Sequence, residues 1–201
     1  DIIAHHKHVQ PVQLKKWKDN PILTPTHLDW EVDGAFNPTA LHLNNKIHLL
    51  YRASGVDGFS KIGYASSTDG LHIDERLKKP IYTPQYWFEY TEDRDGHVSD
   101  IVSASGGTGW GGCEDPKVTQ IGDRIYMTYV AHTGQWPTRT VLTSISVDDF
   151  LNKKWRWTKP MLMSPPGVGS KSVVIMPEKI NGKYVIFHRH WPNVMIDLVD
   201  T

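Results

Sequence analysis

The chain has one cysteine, Cys113, among 201 residues, so it cannot form an internal disulfide. A lone thiol suits a reducing compartment, and a cytoplasmic setting is expected. A charge surplus is missing too: 22 Lys and Arg match 22 Asp and Glu. Nucleic-acid-binding domains usually carry a basic excess, so no such partner is expected. There is no run of about 18 apolar residues, which excludes an ordinary membrane-spanning helix. Residues 1–10 are polar and His-rich, without the cationic start and apolar core of a secretory signal. No carboxylate or Cys partner completes a metal site around His5, His6 and His8. No segment longer than a turn or two carries a helical apolar period. The glycines of residues 105–112 lead into a strand rather than a helix, unlike a phosphate-binding loop. Neither a metal nor an organic cofactor is expected.

What the sequence does hold is 39% hydrophobic and 22% charged residues, the balance of a folded domain rather than a disordered chain. It also holds an internal repeat. Asn37-Pro38, Asp115-Pro116 and Met176-Pro177 each precede an alternating run, a polar turn and a second β-rich run. These runs are 39–43 and 47–51, then 117–121 and 125–129, then 178–180 and 184–188, with turns at Asn44-Asn45, Gly122-Asp123 and Asn181-Gly182. A third strand follows in each unit, at 62–66, 141–145 and 194–199. Similar Pro-flanked segments, 20–25, 79–84 and 159–162, stitch the units together.

An all-β chain of repeated antiparallel units suggests blades of a β-propeller, which a two-sheet sandwich would not predict. Propellers close with about four to eight blades, whereas roughly three are encoded here. The domain reading is an N-terminal extension (1–19) and a partial propeller (20–201), with units 20–79, 80–159 and 160–201. Residues 85–112 form an aromatic and acidic insertion that either covers a pocket mouth or forms a subunit contact, so a homo-oligomer is one expectation.

Blades gather the starts of their inner strands around one axis. The repeat puts Asn37, Asp115 and Met176 there. Asp115 follows a glycine-rich approach, and a carboxyl in a partly dry pocket can act as a general acid; alternatively, Asp115 caps a turn while Glu114 lies in solvent. Arg52, Arg139, Lys171 and Arg189 fall near strand ends, as surface cations or as a converging oxyanion site. Trp110, Trp136, Trp191, Tyr86 and Trp87 are either core or sugar-stacking faces. Cys113, with no base identified, reads as packed.

Several motifs resemble glycoside hydrolase family 130. They are Asn20-Pro21-Ile22-Leu23, Phe36-Asn37-Pro38, Tyr51-Arg52-Ala53, Ile62-Gly63-Tyr64-Ala65 with Asp69-Gly70, Gly112-Cys113-Glu114-Asp115-Pro116-Lys117, and the stretch from Pro177 through Phe187-His188-Arg189. The family contains β-mannoside phosphorylases and some β-mannosidases on five-bladed β-propellers. The resemblance implies Asp115 as general acid, with Asn37, Arg52, Asp69 and Glu114 on the sugar side. It implies Arg139, Lys171, His188 and Arg189 as holders of inorganic phosphate, the co-substrate that attacks from the opposite face. An oligosaccharide and phosphate would then be the partners, and α-mannose 1-phosphate the product. Two positions depart from the common pattern: Lys117 stands where Arg is frequent, and Ser172 where an acid or amide is frequent. An inverting mannosidase and a non-catalytic sugar-binding propeller piece remain the alternatives.

Overall fold

Two-residue turns with both residues at positive φ match the twist of paired strands, and the first hairpin is built on one. In the computed structural model, which describes residues 13–90, 111–134, 137–190 and 192–200, Asn44 and Asn45 (φ 49° and 57°) join β1 (Gly34–Leu43) to β2 (Lys46–Ser54). β3 (Phe59–Ser67) pairs antiparallel with β2, and the two-residue β4 (Glu75–Arg76) lies outside β3. The second unit repeats this plan with β5 (Gly111–Ile121), β6 (Arg124–His132), β7 (Arg139–Ser146) and β8 (Met161–Leu162). The third has β9 (Lys171–Ile175), β10 (Tyr184–His190) and β11 (Asn193–Val199). The fold is all-β, formed of open sheets, with one short helix, α1 (Val147–Leu151), among the described residues. Ser146 caps α1 by accepting a hydrogen bond from the Asp149 N–H. None of the described helices is long and apolar enough to cross a membrane.

The inner strands β1, β5 and β9 stand side by side. Thr39 Oγ1 accepts from the Val118 N–H, and Thr119 Oγ1 donates to the Ile175 carbonyl. Each inner strand carries the same irregularity. Two residues of β1 oppose one of β2 between Phe36↔Arg52 and Thr39↔Leu50. The same happens between Glu114↔Val130 and Lys117↔Thr128, and again between Lys171↔Arg189 and Val174↔Phe187. These are β-bulges whose first residue is left-handed: Asn37 (φ 49°), Asp115 (φ 49°) and Ser172 (φ 58°).

This register corrects the sequence alignment of the third unit. Ser172, not Met176, is the counterpart of Asn37 and Asp115. The Asn-Pro and Asp-Pro pairs sit inside bulges, where proline's missing N–H costs no ladder hydrogen bond. In β9 Val173 takes the proline's place, while Met176-Pro177 begins a turn closed by the Ile180↔Lys183 bridge. Residues 178–180 therefore form no strand of their own.

The first two units are joined by a short parallel bridge, Phe59↔Gly111 and Ser60↔Gly112. Gly112 has φ +100°, and a Cβ there would lie 2.3 Å from the Ser60 carbonyl oxygen and 2.5 Å from its nitrogen. Gly112→Ala should therefore separate the units, detectable as loss of soluble protein or a large fall in melting temperature; an unchanged melting temperature would contradict this junction.

Behind the inner strands lies a core including Leu50, Ile62, Tyr82, Cys113, Met127, Tyr129, Val141 and Phe150. Burial, with Glu89 close by, pushes the Cys113 thiol well up, so it is no nucleophile. Two carboxylates with no exposed surface brace the first two units. Glu31 accepts from Tyr51 (2.8 Å) and Arg76 (2.6 Å), and Glu89 from Tyr82 (3.0 Å), Tyr129 and the N–H groups of Gln85 (2.6 Å) and Tyr86 (2.9 Å). Tyr51 and Tyr129 hold equivalent register positions, each one residue before the partner of the bulge (Arg52, Val130). One bracing device therefore occurs in two units.

His48, 4% exposed, accepts at Nδ1 from the Tyr64 hydroxyl (2.7 Å) and donates from Nε2 to the Leu43 carbonyl (3.1 Å). Both nitrogens are thus satisfied in the neutral ring, and burial lowers the His48 pKa. The unfolded chain then takes up the proton first, so this site's share of stability is present above about pH 6.5 and is lost as pH falls below it. Titration of the His48 ring by NMR should give a midpoint below that of an exposed imidazole; a normal or raised midpoint would contradict this bonding.

Candidate active site

The bulges re-aim side chains at the heads of the inner strands, and the first two bring Asn37 and Asp115 together. Asn37 Nδ2 donates to Asp115 Oδ1 at 2.7 Å across 78 positions of sequence. The Asp115 side chain keeps 19% of its surface exposed, so it is sheltered yet reachable. Arg52, at the end of β2, lies beneath this pair. Its Nε donates to Ser60 Oγ (2.8 Å), its Nη2 to Glu114 Oε1 (3.1 Å), and its Nη1 stands 3.6 Å from Asp115 Oδ1. The guanidinium carbon sits 4.9 Å from the Phe36 ring centroid, a cation–π contact.

Glu114 faces inward as Asp115 faces outward. With a side chain 4% exposed, it is ringed by Arg52, His132 Nδ1 (3.4 Å) and Lys171 Nζ (3.8 Å). A carboxylate taken out of water needs such partners, and these come from the first, second and third units. Glu114 thus ties the three units together at this end of the sheets.

Lys171 is the counterpart of Glu114 and Phe36 in the third bulge, directly across from Arg189. Like charges facing across a strand pair are unfavourable unless an anion lies close. Glu114 supplies part of that compensation to Lys171, while Arg189 is exposed. Arg139 starts β7 at the same end, opposite Ala131 and next to His132, with its guanidinium on Ser164 through Nε–Oγ (3.0 Å) and Nη2–O (2.5 Å). With Arg52, Lys171 and Arg139 against Glu114 and Asp115, this end of the sheets is net positive even when Asp115 is ionised.

Two anticipated residues have their recorded side-chain partners outside this cluster. His188 holds the register position of Tyr51 and Tyr129, with its ring stacked on His190 (5.9 Å) and its Nε2 3.0 Å from Asp197, out of line for a hydrogen bond. Burial lowers its pKa, partly offset by Asp197. Asp69 follows Ser67, which pairs with Ile47, whereas the site lies at the Arg52↔Ile62 end of the same ladder. There Asp69 organises a turn, accepting from the N–H groups of Leu71 and His72 and from the His72 ring. Those bonds hold its carboxyl far below the usual range and raise His72.

His132 was not foreseen, although the repeat pointed to it: Tyr51-Arg52-Ala53-Ser54 aligns with Tyr129-Val130-Ala131-His132. Of the aromatics, Tyr86 stacks on Phe88, Trp87 is 73% exposed, and Trp110, Trp136 and Trp191 lie outside the described residues, as do His5, His6, His8 and residues 91–110 of the insertion. Among the described residues, no group of three His, Cys, Asp or Glu is placed to hold a metal.

The glycoside hydrolase 130 family model, described as β-1,4-mannooligosaccharide phosphorylase, matches residues 13–200. A β-1,2-mannobiose phosphorylase from Thermoanaerobacter sp. (strain X514) is 31% identical over 198 residues, covering 92% of this chain and 57% of the relative. A glycosyl hydrolase structure from Bacteroides ovatus superposes with a TM-score of 0.69 at 24% identity, covering 94% of this chain and 56% of that one. The β-1,2-mannobiose phosphorylase of Listeria innocua, solved with β-1,2-mannobiose, gives a TM-score of 0.62 at 19% identity, covering 92% of this chain and 62% of that one. The chain therefore spans little more than half the length of the proteins it matches.

Proposed function

Because the chain belongs to glycoside hydrolase family 130, we propose that it carries the acid side of an inverting phosphorylase site for β-linked mannosides, β-1,2-mannobiose among them, built on blades of a five-bladed β-propeller. The observation that carries this reading is the sheltered Asp115–Asn37 pair set beside a net-positive, Glu114-anchored cluster. Asn37 engages Oδ1, so the other Asp115 oxygen is the one to deliver a proton. That proton passes to the glycosidic oxygen as the C1–O bond breaks. A phosphate oxygen attacks C1 from the opposite face, and the hydrogen phosphate's proton returns the Asp115 carboxyl to its acid form. The products are the shortened saccharide and α-mannose 1-phosphate.

An inverting hydrolase would need a second carboxylate, about 6.5–9.5 Å away, to activate water. Glu114 is no such base, being buried, adjacent on the same strand and engaged by Arg52, Lys171 and His132. Lys171, Arg139 and Arg189 instead provide a surplus suited to a dianion. Proton and phosphorus NMR of a mixture with β-1,2-mannobiose and phosphate should show mannose and α-configured mannose 1-phosphate in equal amounts. A β-configured product would overturn inversion.

A further inference from the structure

We propose that Ser172 is a phosphate-contacting residue, its hydroxyl donating a hydrogen bond to a phosphate oxygen beside Lys171 and Arg189; this rests on the phosphorolysis reading. Ser172 occupies the third of three identical bulges, and the other two present Asn37 and Asp115. Asn, Asp and Gly tolerate left-handed φ readily, and serine does so less well. The backbone alone therefore gives no reason for a serine at φ 58°, and a residue held in an unfavoured conformation points toward a task.

Asn37 and Asp115 bond to each other, whereas the half-buried Ser172 hydroxyl makes no hydrogen bond among the described residues. Its chain neighbour Lys171 faces Arg189 across the strand pair, and Glu114 at 3.8 Å is shared with Arg52 and His132. An anion seated here relieves the Lys171–Arg189 repulsion and accepts a hydrogen bond from the serine hydroxyl. A neutral hydroxyl adds a donor without adding the negative charge that would repel phosphate.

The test uses three variants that all suit the backbone. Ser172→Gly removes the hydroxyl and relaxes φ, and should raise the phosphate KM about 10–100-fold, the loss of one hydrogen bond to a charged group. The mannoside KM and the melting temperature should stay near wild type. Ser172→Asn and Ser172→Asp share one shape and differ by one negative charge, so the Asp variant should bind phosphate at least about tenfold more weakly than the Asn variant. Calorimetric titration with inorganic phosphate, without mannoside, reads the same order independently of turnover. Phosphate-dependent turnover with an unaltered phosphate KM in Ser172→Gly, or equal values for the Asn and Asp variants, overturns this assignment alone. Turnover by the wild-type protein that ignores phosphate overturns the phosphorolysis reading and this assignment with it.

Discussion

Asp115→Asn should lower turnover of β-1,2-mannobiose by about 10²–10⁴-fold, the usual contribution of a general acid. The substitution keeps the shape and an oxygen that can still accept the Asn37 amide bond, so the bulge should survive and the melting temperature should barely move. What disappears is the transferable proton. A mannoside whose leaving group departs as a stable anion, such as a nitrophenolate, needs no such proton and should lose far less activity. This contrast separates acid catalysis from simple damage. Equal losses on both substrates would assign Asp115 a binding or structural role, and full activity on mannobiose would remove it from the chemistry.

Glu114→Ala should be the most damaging single change to the stability of the site. Removing one partner of a buried ion pair typically costs about 3–5 kcal/mol, because the remaining charge stays desolvated. Here Arg52, with a side chain 6% exposed, loses its closest carboxylate, and His132 and Lys171 lose theirs as well. Chemical denaturation should show this as a lower midpoint with an unchanged slope. The coupling should be largest with Arg52, at 3.1 Å, and smaller with Lys171, which is 3.8 Å away and 30% exposed. A double-mutant cycle measures both couplings. A loss below about 1 kcal/mol for Glu114→Ala, within the range of an ordinary surface pair, would contradict the view that this carboxylate binds the three units together.

The hairpins were legible because their turns are written in local chemistry. Asn44-Asn45, Gly122 and Asn181-Gly182 adopt positive φ as those residue types readily do. The third inner strand was not, because X-Pro marks a bulge in two units and a turn in the third. A bulge is defined by its partner strand, which the sequence does not reveal. The Asp115–Asn37 pairing followed from the repeat, since equivalent positions of neighbouring inner strands meet. The burial of Glu114 did not, because which of two adjacent carboxylates turns inward depends on the left-handed φ of Asp115. Glu31 and Glu89 escaped notice although each follows an aromatic residue, Trp30 or Phe88, shortly after a Thr-Pro step. A lone Glu before a strand reads as solvated until a tyrosine from another strand is found against it. Asp69 shows the converse, a residue picked out by motif that the ladder carries to the far end of its unit.

In the proposed phosphorolysis, phosphate, not water, takes the mannosyl group released with the help of Asp115. The most direct measurement of this is the rate of β-1,2-mannobiose cleavage with phosphate present and rigorously removed. Mannose 1-phosphate forming at the rate of cleavage, and cleavage ceasing without phosphate, is the predicted result. Release of free mannose at the same rate in both conditions, with no sugar phosphate formed, would contradict it.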